Sequence, residues 1–167
     1  ALQFTEGDYI SVADSSDFDF STGTAFTIEL WVNTDAAAGS ALYPTILSNK
    51  AGSWATTSAA LLYLEKASGK AILAVYPAEI IKSPFSVMDA RWHHIVAQRN
   101  TENTFQMYID GVLVSSDTSS RVFDFTIGTD TWIGRNGWNG TNSYFWGKLD
   151  QFRISRGIAR YGGVSLR

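Results

Sequence analysis

Alternation of apolar and polar residues runs through the chain and predicts β-strands. In residues 25–33 the apolar side chains share one parity, and the other parity is polar apart from Trp31. Because successive side chains of a strand point to opposite faces, this pattern indicates a strand buried on one side. The inward set is Phe26, Ile28, Leu30 and Val32. No segment has the apolar spacing of a three-turn helix.

Turn signals join such segments into hairpins. Residues 104–109 alternate, and Asp110-Gly111 follows before a further apolar run begins at Val112. Asp-Gly tolerates positive φ at both central positions of a tight turn, so this is the strongest hairpin signal in the chain. Residues 60–66 and 70–76 flank Ala67-Ser-Gly69 as a second hairpin. Residues 91–99 are apolar or amphipathic on both faces, which is typical of a central strand.

The last strand breaks its own register. Phe145, Gly147 and Leu149 share one parity, whereas Phe152 and Ile154 share the other. A strand can bury both sets only if one extra residue is inserted, which predicts a β-bulge at Asp150–Gln151. Bulges re-aim side chains, so Asp150 is a candidate for a special role. Short strands separated by Gly, Asp, Asn and Ser predict an all-β, two-sheet antiparallel sandwich.

The order and spacing of several segments resemble the laminin-G-like branch of the concanavalin A-like jelly rolls, from residue 2 to about residue 161. The segments are Leu2–Phe4, Asp8–Val12, Phe26–Asn33, Arg91–Arg99, Met107–Val112 and Gly147–Asp150. The resemblance implies a concanavalin A-like jelly roll. Alternation in residues 104–109 adds Phe105, Met107 and Ile109 to the predicted buried faces, and the parity of the last strand adds Phe152 and Ile154. That superfamily includes lectins, carbohydrate-binding modules, adhesion domains, glycanases and phage tail domains, so fold does not decide function.

Composition narrows the functional classes. The 167 residues fit one domain over 1–167, and no repeat or linker divides them. The chain lacks cysteine, which excludes a disulfide framework and fits a bacterial or viral protein. A net charge of −3 without a Lys/Arg run argues against nucleic acid as a partner. No apolar run approaches the ~18 residues of a membrane span. The start at Ala1 indicates a mature or excised domain.

The sequence gives little support to catalysis. Glycanases of this superfamily place two or three carboxylates at alternate positions of one strand, and no such motif occurs here. Glu29, Glu65 and Glu79 are isolated in sequence. His93 and His94 are adjacent on a predicted strand, so they point to opposite faces and cannot chelate one ion. We therefore expect packed, structural histidines and no enzyme activity, with a glycanase as the third-ranked function.

A structural calcium ion is one reading of Asp150. The resemblance implies that an Asp at the matching position of the last strand helps to hold calcium, with groups from the first strands. Asp8 is the best first-strand partner. The competing reading is that Asp150 accepts backbone N–H bonds exposed by the bulge. The Asp-rich run at residues 14–19 is interpreted as a solvated turn, with calcium as its alternative.

Aromatic and amide side chains concentrate between residues 132 and 146, in a segment punctuated by glycine. Sugars bind by stacking on aromatic rings while amides and charged groups satisfy their hydroxyls, so this composition indicates a ligand loop. The candidates are Arg135, Asn136, Trp138, Asn139, Asn142, Tyr144 and Trp146. Parity opposite to Phe145 predicts that Trp146 faces away from the core. Tyr43 and Trp54 form a second cluster. The alternative is that these rings cover the edge of the sandwich.

These observations predict a non-catalytic, lectin-like module that recognises a glycan or polysaccharide. The alternative is a structural or adhesion domain of a phage tail, a capsid decoration or a cell-surface protein, in which the same rings pack against a neighbouring subunit. The resemblance implies an extracellular, cell-surface or virion location, within a larger polypeptide or a virion assembly.

Overall fold

The structure is a computed structural model that describes residues 1–18, 20, 23–49, 60–125, 130–136 and 143–162. Its strands, in chain order, are β1 (Leu2–Phe4), β2 (Ile10–Val12), β3 (Phe26–Asp35), β4 (Thr45–Asn49), β5 (Ala60–Glu65), β6 (Lys70–Val75), β7 (Ala78–Lys82), β8 (Asp89–Arg99), β9 (Thr104–Ile109), β10 (Val112–Thr118), β11 (Thr131–Ile133) and β12 (Gly147–Arg156). Within these ranges the only helix is one 3-10 turn over Ser16–Phe18. None of the described segments is a helix long and apolar enough to cross a membrane.

Two antiparallel sheets of six strands confirm the predicted sandwich. The first sheet has the order β1-β12-β3-β8-β9-β10, and the second has the order β2-β11-β4-β5-β6-β7. The amphipathic segment at residues 91–99 lies in β8, which pairs with both β3 and β9 as a central strand. The predicted hairpins are also present, as the β5–β6 and β9–β10 pairs. Asp110 and Gly111 both have positive φ, 52° and 81°, as their tight turn requires.

The core lies between the sheets and contains most of the predicted residues. Phe26, Ile28 and Leu30 of β3 are fully buried, as are Phe105 and Met107 of β9. Val32 and Ile109 join the same cluster. Alternation along β3 and β9 was therefore sufficient to identify their inward faces.

The predicted bulge in β12 is confirmed. The pairing of β12 with β3 shifts register between Asp150 and Arg153, and Gln151 has a φ of 48°. The shift returns Ile154 to the inner face, opposite the fully buried Ile28. Phe152 and Ile154 pack against the core cluster but are only partly buried, so the predicted burial of these two residues is confirmed in part. Strand β1 pairs with β12 only at Gly147–Leu149, so the later residues of β12 lie along an open edge.

Candidate functional site

An open cleft lies on the outer face of the second sheet, away from the core. Its floor comes from alternation in β5: Leu62 and Leu64 point into the core, so Leu61, Tyr63 and Glu65 point outward. In the ladder, Tyr63 pairs with Thr45 of β4, and Leu61 pairs with Ala74 of β6. Neighbouring strands thus supply a floor of small and aliphatic side chains beneath the rings.

Three tyrosines line this cleft, which we call the tyrosine cleft; its volume is about 220 Å³. The rings of Tyr43 and Tyr63 meet edge to face, with centroids 6.1 Å apart and an interplanar angle of 81°. Tyr43 is 37% exposed, and Tyr76 lies at the end of β6. The other lining residues are Thr45, Leu61, Glu65, Ala74, Pro77, Ala78, Glu79 and Asn136. Tyrosine rings beside carboxylates and an amide are the groups that bind sugar rings and hydroxyls.

Carboxylates border the tyrosine cleft on one side. The Tyr63 hydroxyl donates to Glu79 Oε1 at 3.3 Å. The ammonium of Lys82 lies 3.4 Å from Glu65 Oε2 and 3.5 Å from Glu79 Oε2. Burial raises the pKa of Tyr63, and the nearby Glu79 carboxylate raises it further, so the hydroxyl stays protonated. The Ser68 hydroxyl, donating at 2.5 Å, lowers the pKa of Glu65, and Lys82 adds to this effect.

The segment after β11 folds back over the outer face and brings Asn136 into the tyrosine cleft. Gly134 permits the bend, with a φ of 94°. The Ser48 hydroxyl then donates to the carbonyl oxygen of Arg135 at 2.8 Å. Asn136 is 6% exposed, and its Nδ2 donates to Thr45 Oγ1 at 3.4 Å. The structure therefore places two of the predicted ligand residues, Asn136 and Tyr43, in one cleft.

Arg135 and Tyr144 lie beside the cleft in a cluster of rings. The Arg135 guanidinium carbon lies 4.2 Å from the ring centroid of Trp132, 4.7 Å from that of Tyr9 and 5.1 Å from that of Tyr144. Trp132 donates through Nε1 to Ser11 Oγ at 3.2 Å. Such stacking holds the cation against aromatic faces on the β2 side of the sheet. The consecutive residues Arg135 and Asn136 join this cluster to the tyrosine cleft, and we call the two together the aromatic strip.

Trp146 does not belong to this strip, and the prediction that it faces away from the core was wrong. It is 4% exposed, packs in the core cluster and donates through Nε1 to the carbonyl oxygen of Asp35 at 2.8 Å. Alternation of faces applies only within a strand, and β12 begins at Gly147. Phe145 and Trp146 precede it and are both buried. A Cβ at Gly39 would overlap the Trp146 ring, so this glycine makes room for the tryptophan.

Trp54, Trp138, Asn139 and Asn142 lie outside the described residues, so their predicted roles stay predictions. Sequence reasoning missed Tyr63, Tyr76 and Glu79 as cleft residues. Tyr63 did carry a signal, because it has outward parity among the leucines of β5. Tyr76 and Glu79 had none, since only the pairing of β5, β6 and β7 brings them to Tyr63.

The two predicted calcium ligands have separate local partners. Asp8 Oδ2 accepts from the backbone N–H and the hydroxyl of Thr5, at 2.8 and 2.7 Å. Asp150 Oδ1 accepts the N–H of Gln151 at 2.9 Å. Among the described residues, no group of three His, Asp or Glu side chains is placed to hold a metal ion. Calcium also takes carbonyl, amide and water oxygens as ligands, so a calcium role for Asp8 and Asp150 stays a prediction.

The remaining candidate acids and bases are engaged in structural contacts. On the outer face of the first sheet, Glu29 accepts hydrogen bonds from Arg153 and, at 2.6 Å, from the Tyr161 hydroxyl. Burial raises the pKa of Glu29, but these bonds outweigh it and leave the pKa below its ordinary value. His93 lies between Asp110, at 2.8 Å, and Asp89, at 3.0 Å. Glu29 is thus a fixed anion, and His93 links the first residue of β8 to the turn between β9 and β10.

The sequence matches one family over almost its whole length. A family model described as the concanavalin A-like lectin/glucanases superfamily matches residues 4–158. The chain belongs to this superfamily. A search of curated proteins finds no significant sequence match to this concanavalin A-like domain.

Solved structures share the fold of the concanavalin A-like domain at low sequence identity. Domain 4 of AbnA, an extracellular arabinanase from Geobacillus stearothermophilus, in complex with arabinotriose, has a TM-score of 0.69 and 18% identity over 93% of this chain and 69% of that chain. The CBM40 of the Ruminococcus gnavus IT-sialidase has a TM-score of 0.62 and 14% identity, covering 95% and 94%. Domains LG4-5 of the mouse laminin alpha1 chain have a TM-score of 0.63 and 16% identity over 94% of this chain. This chain spans only 42% of their length. These similarities confirm the fold.

Proposed function

We propose that this concanavalin A-like domain is a non-catalytic glycan-binding module whose ligand lies in the tyrosine cleft. The observation that carries the proposal is the pair of rings, Tyr43 and Tyr63, facing an open cleft beside Glu79 and Asn136. The carbohydrate-binding module and the arabinanase domain with its bound arabinotriose support this reading, because both share the fold. The domain of an extracellular arabinanase supports an extracellular location. A cell-surface or virion location, within a larger polypeptide or assembly, is part of this proposal.

The tyrosine cleft is shaped for rings and hydroxyl groups. A sugar ring has apolar C–H faces that stack on an aromatic plane, and Tyr43 presents such a plane at 37% exposure. The carboxylates of Glu65 and Glu79 accept hydrogen bonds from sugar hydroxyls, and the Asn136 amide both donates and accepts. Apolar stacking and directional polar groups are therefore available to one ligand.

The charge states of Glu65 and Glu29 argue against either carboxylate as a catalytic acid. A glycosidase needs one carboxylic acid that is protonated at working pH, and this requires a raised pKa. The pKa of Glu65 is lowered instead, first by the Ser68 hydroxyl and then by Lys82. On the other sheet, the pKa of Glu29 is also lowered, and Arg153 covers its carboxylate. Neither group is suited to protonate a leaving group.

Affinity electrophoresis and a glycan array, performed with the wild type and with Tyr43→Ala, test the proposal. We expect the wild type to be retarded by a polysaccharide in the gel or to give signals on the array. The variant should lose this binding while its melting temperature stays unchanged. Reducing-sugar release by the wild type that Glu65→Gln and Glu79→Gln abolish would show that the cleft is catalytic. Silence across a broad panel would contradict glycan binding.

Two exposed tryptophans favour the alternative, a structural or adhesion domain. Trp31 and Trp92 are 37% and 40% exposed, and both lie on the outer face of the first sheet. Trp31 pairs with His94 and Trp92 pairs with Asn33, two rows that the inward-facing Val32–His93 row separates. Exposed tryptophans are common where protein surfaces associate. Stable oligomers by light scattering that Trp92→Ala dissociates, together with an array without signal, would favour this function over glycan binding.

A further inference from the structure

We infer that the tyrosine cleft selects glycans without acidic groups and discriminates against sugars that carry a carboxylate or a sulfate. This inference rests on the proposed function, since it concerns the ligand class of the same site. It is not implied by the fold, because the structures that share it include one bound to arabinotriose, which is neutral, and one bound to α2,3-sialyllactose, which is anionic.

The first observation is the sign of the charges that line the cleft. Its described lining includes two carboxylates, Glu65 and Glu79, and neither lysine nor arginine. Glu79 is 46% exposed and Glu65 is 28% exposed at the side chain, so both can face a ligand. The lowered pKa of Glu65 keeps it ionised at neutral pH. An anionic sugar entering here therefore meets like charge.

The second observation is that the cations near the two carboxylates, Lys70 opposite Glu65 in the β5–β6 ladder, Lys82 and Arg135, are not among the residues that line the cleft. Lys82 lies within 3.5 Å of both carboxylates, so its ammonium is shared between two anions. The Arg135 guanidinium is stacked against Tyr9, Trp132 and Tyr144, on the β2 side of the sheet. Recognition of a sugar carboxylate typically uses an arginine fork aimed at the ligand, and the described lining of the cleft offers none.

The third observation is that the polar groups of the cleft match neutral hydroxyls. Ionised carboxylates only accept hydrogen bonds, and every sugar hydroxyl can donate one. The Tyr63 hydroxyl already donates its proton to Glu79, which leaves its oxygen as a further acceptor. A site that consists mainly of hydrogen-bond acceptors binds the hydroxyl donors of a neutral sugar. A carboxylate on the ligand would lose its hydration without gaining a hydrogen-bond donor, and this loss weakens binding.

Titration calorimetry with matched sugar pairs tests the inference. The probes are lactose with 3′-sialyllactose, and xylo-oligosaccharides with and without a glucuronic acid branch. Because like charges near a protein surface repel each other, we expect the acidic member of each pair to bind at least about tenfold more weakly than the neutral member. The difference should increase at low ionic strength, because salt screens partly exposed charges.

Charge variants provide the control. Glu79→Gln removes one carboxylate of the cleft, so it should reduce the difference in affinity (the affinity gap) between the neutral and the acidic member of a pair. Glu102→Gln, an exposed carboxylate in the turn between β8 and β9, should leave the gap unchanged. Equal or tighter binding of the acidic member, in a protein that does bind glycans, overturns the inference while the proposed function stands. If neither member of any pair binds and the array is also silent, both fail.

Discussion

The hydroxyl of Tyr63 donates to the Glu79 carboxylate, 3.3 Å away, across the outer face of β5, β6 and β7. This bond orients the Tyr63 ring, which meets the Tyr43 ring edge to face. Glu79 in turn shares the Lys82 ammonium with Glu65. The rings of the tyrosine cleft are thus held in place before any ligand arrives, which limits the entropy lost on binding.

Removal of one exposed ring should separate binding from stability. Tyr43→Ala is expected to weaken glycan affinity about tenfold, since stacking on an aromatic ring is worth on the order of 1–3 kcal/mol. Its melting temperature should change little, because the ring is 37% exposed. Trp92→Ala, which removes a similarly exposed ring from the other sheet, is the matched control for calorimetry. Equal losses from both variants would contradict a site in the cleft.

Tyr144 and Trp138 are also predicted to contact the glycan. Tyr144 stacks on Arg135 beside the cleft, and Trp138 follows Asn136 by two positions in the sequence. We expect Tyr144→Ala and Trp138→Ala to weaken binding in affinity electrophoresis with little loss of stability. A fall in melting temperature as large as that caused by a core truncation such as Leu62→Ala would show that these rings are structural.

Gly147 should be among the least replaceable residues of the fold. Its φ is 124°, and a Cβ there would overlap the carbonyl oxygen of Asn33 and lie 2.9 Å from Thr34 Cβ. Gly157 has a φ of 82° but open space around it, so it isolates the cost of backbone strain. In urea unfolding we expect Gly157→Ala to lose about 1–2 kcal/mol and Gly147→Ala to lose clearly more. Equal losses would mean that the overlap is relieved at no cost.

The two histidines should give opposite pH dependences of stability. Burial lowers the pKa of His93, but Asp110 and Asp89 outweigh it and raise the pKa overall. This stabilisation is present below about pH 6.5, the unfolded value, and is lost as pH rises through the folded pKa. Burial lowers the pKa of His94. Its contribution to the free energy of unfolding therefore increases as pH rises through the folded pKa, and it is complete above about pH 6.5, the unfolded value.

Urea unfolding across pH 5–9 can separate these contributions. Asp110→Asn removes one carboxylate beside His93 while an Asn still tolerates the φ of 52° at this turn. The variant should therefore lose less stability than the wild type between pH 6 and pH 9. His94→Gln should instead remove the part of the profile that rises with pH. An unchanged profile in Asp110→Asn would contradict the assignment to His93.

Calcium at Asp8 and Asp150 stays a prediction. An ion that binds only the folded state, at a free concentration of about 100 times its Kd, adds roughly 2.7 kcal/mol to the free energy of unfolding. Chelation should then lower the melting temperature, and Asp150→Ala should abolish that response. A chelator-indifferent curve, with no calcium by elemental analysis, would leave Asp150 as an acceptor for the N–H of Gln151.

Local patterns predicted the scaffold because face and register are encoded locally. Alternation in β3 and β9 identified the buried faces, and the parity break after Leu149 located the bulge at Gln151. The same rule failed for Trp146, which precedes the first residue of β12. Parity carries no information outside a strand, so loop residues next to strands need tertiary contacts to be placed.

The site was predictable only in part, because it is assembled across strands. Tyr43 and Asn136 were identified as polar aromatic or amide residues without an apolar period, and both line the tyrosine cleft. Their meeting depends on the bend at Gly134 and on the bond from Asn136 to Thr45. Glu79 reaches Tyr63 only through the order of β5, β6 and β7. Pairing order is a non-local property that one strand's sequence does not specify.

Backbone amide NMR tests the central claim most directly, since it reports which sheet a glycan touches. The probe is the neutral oligosaccharide with the strongest array signal, titrated into the labelled wild type. We predict that shift changes cluster at Thr45, Tyr63, Ala74 and Asn136, which line the tyrosine cleft, and spare Trp31 and Trp92 on the first sheet. Changes confined to the first sheet, with the cleft amides unmoved, would contradict the proposed site.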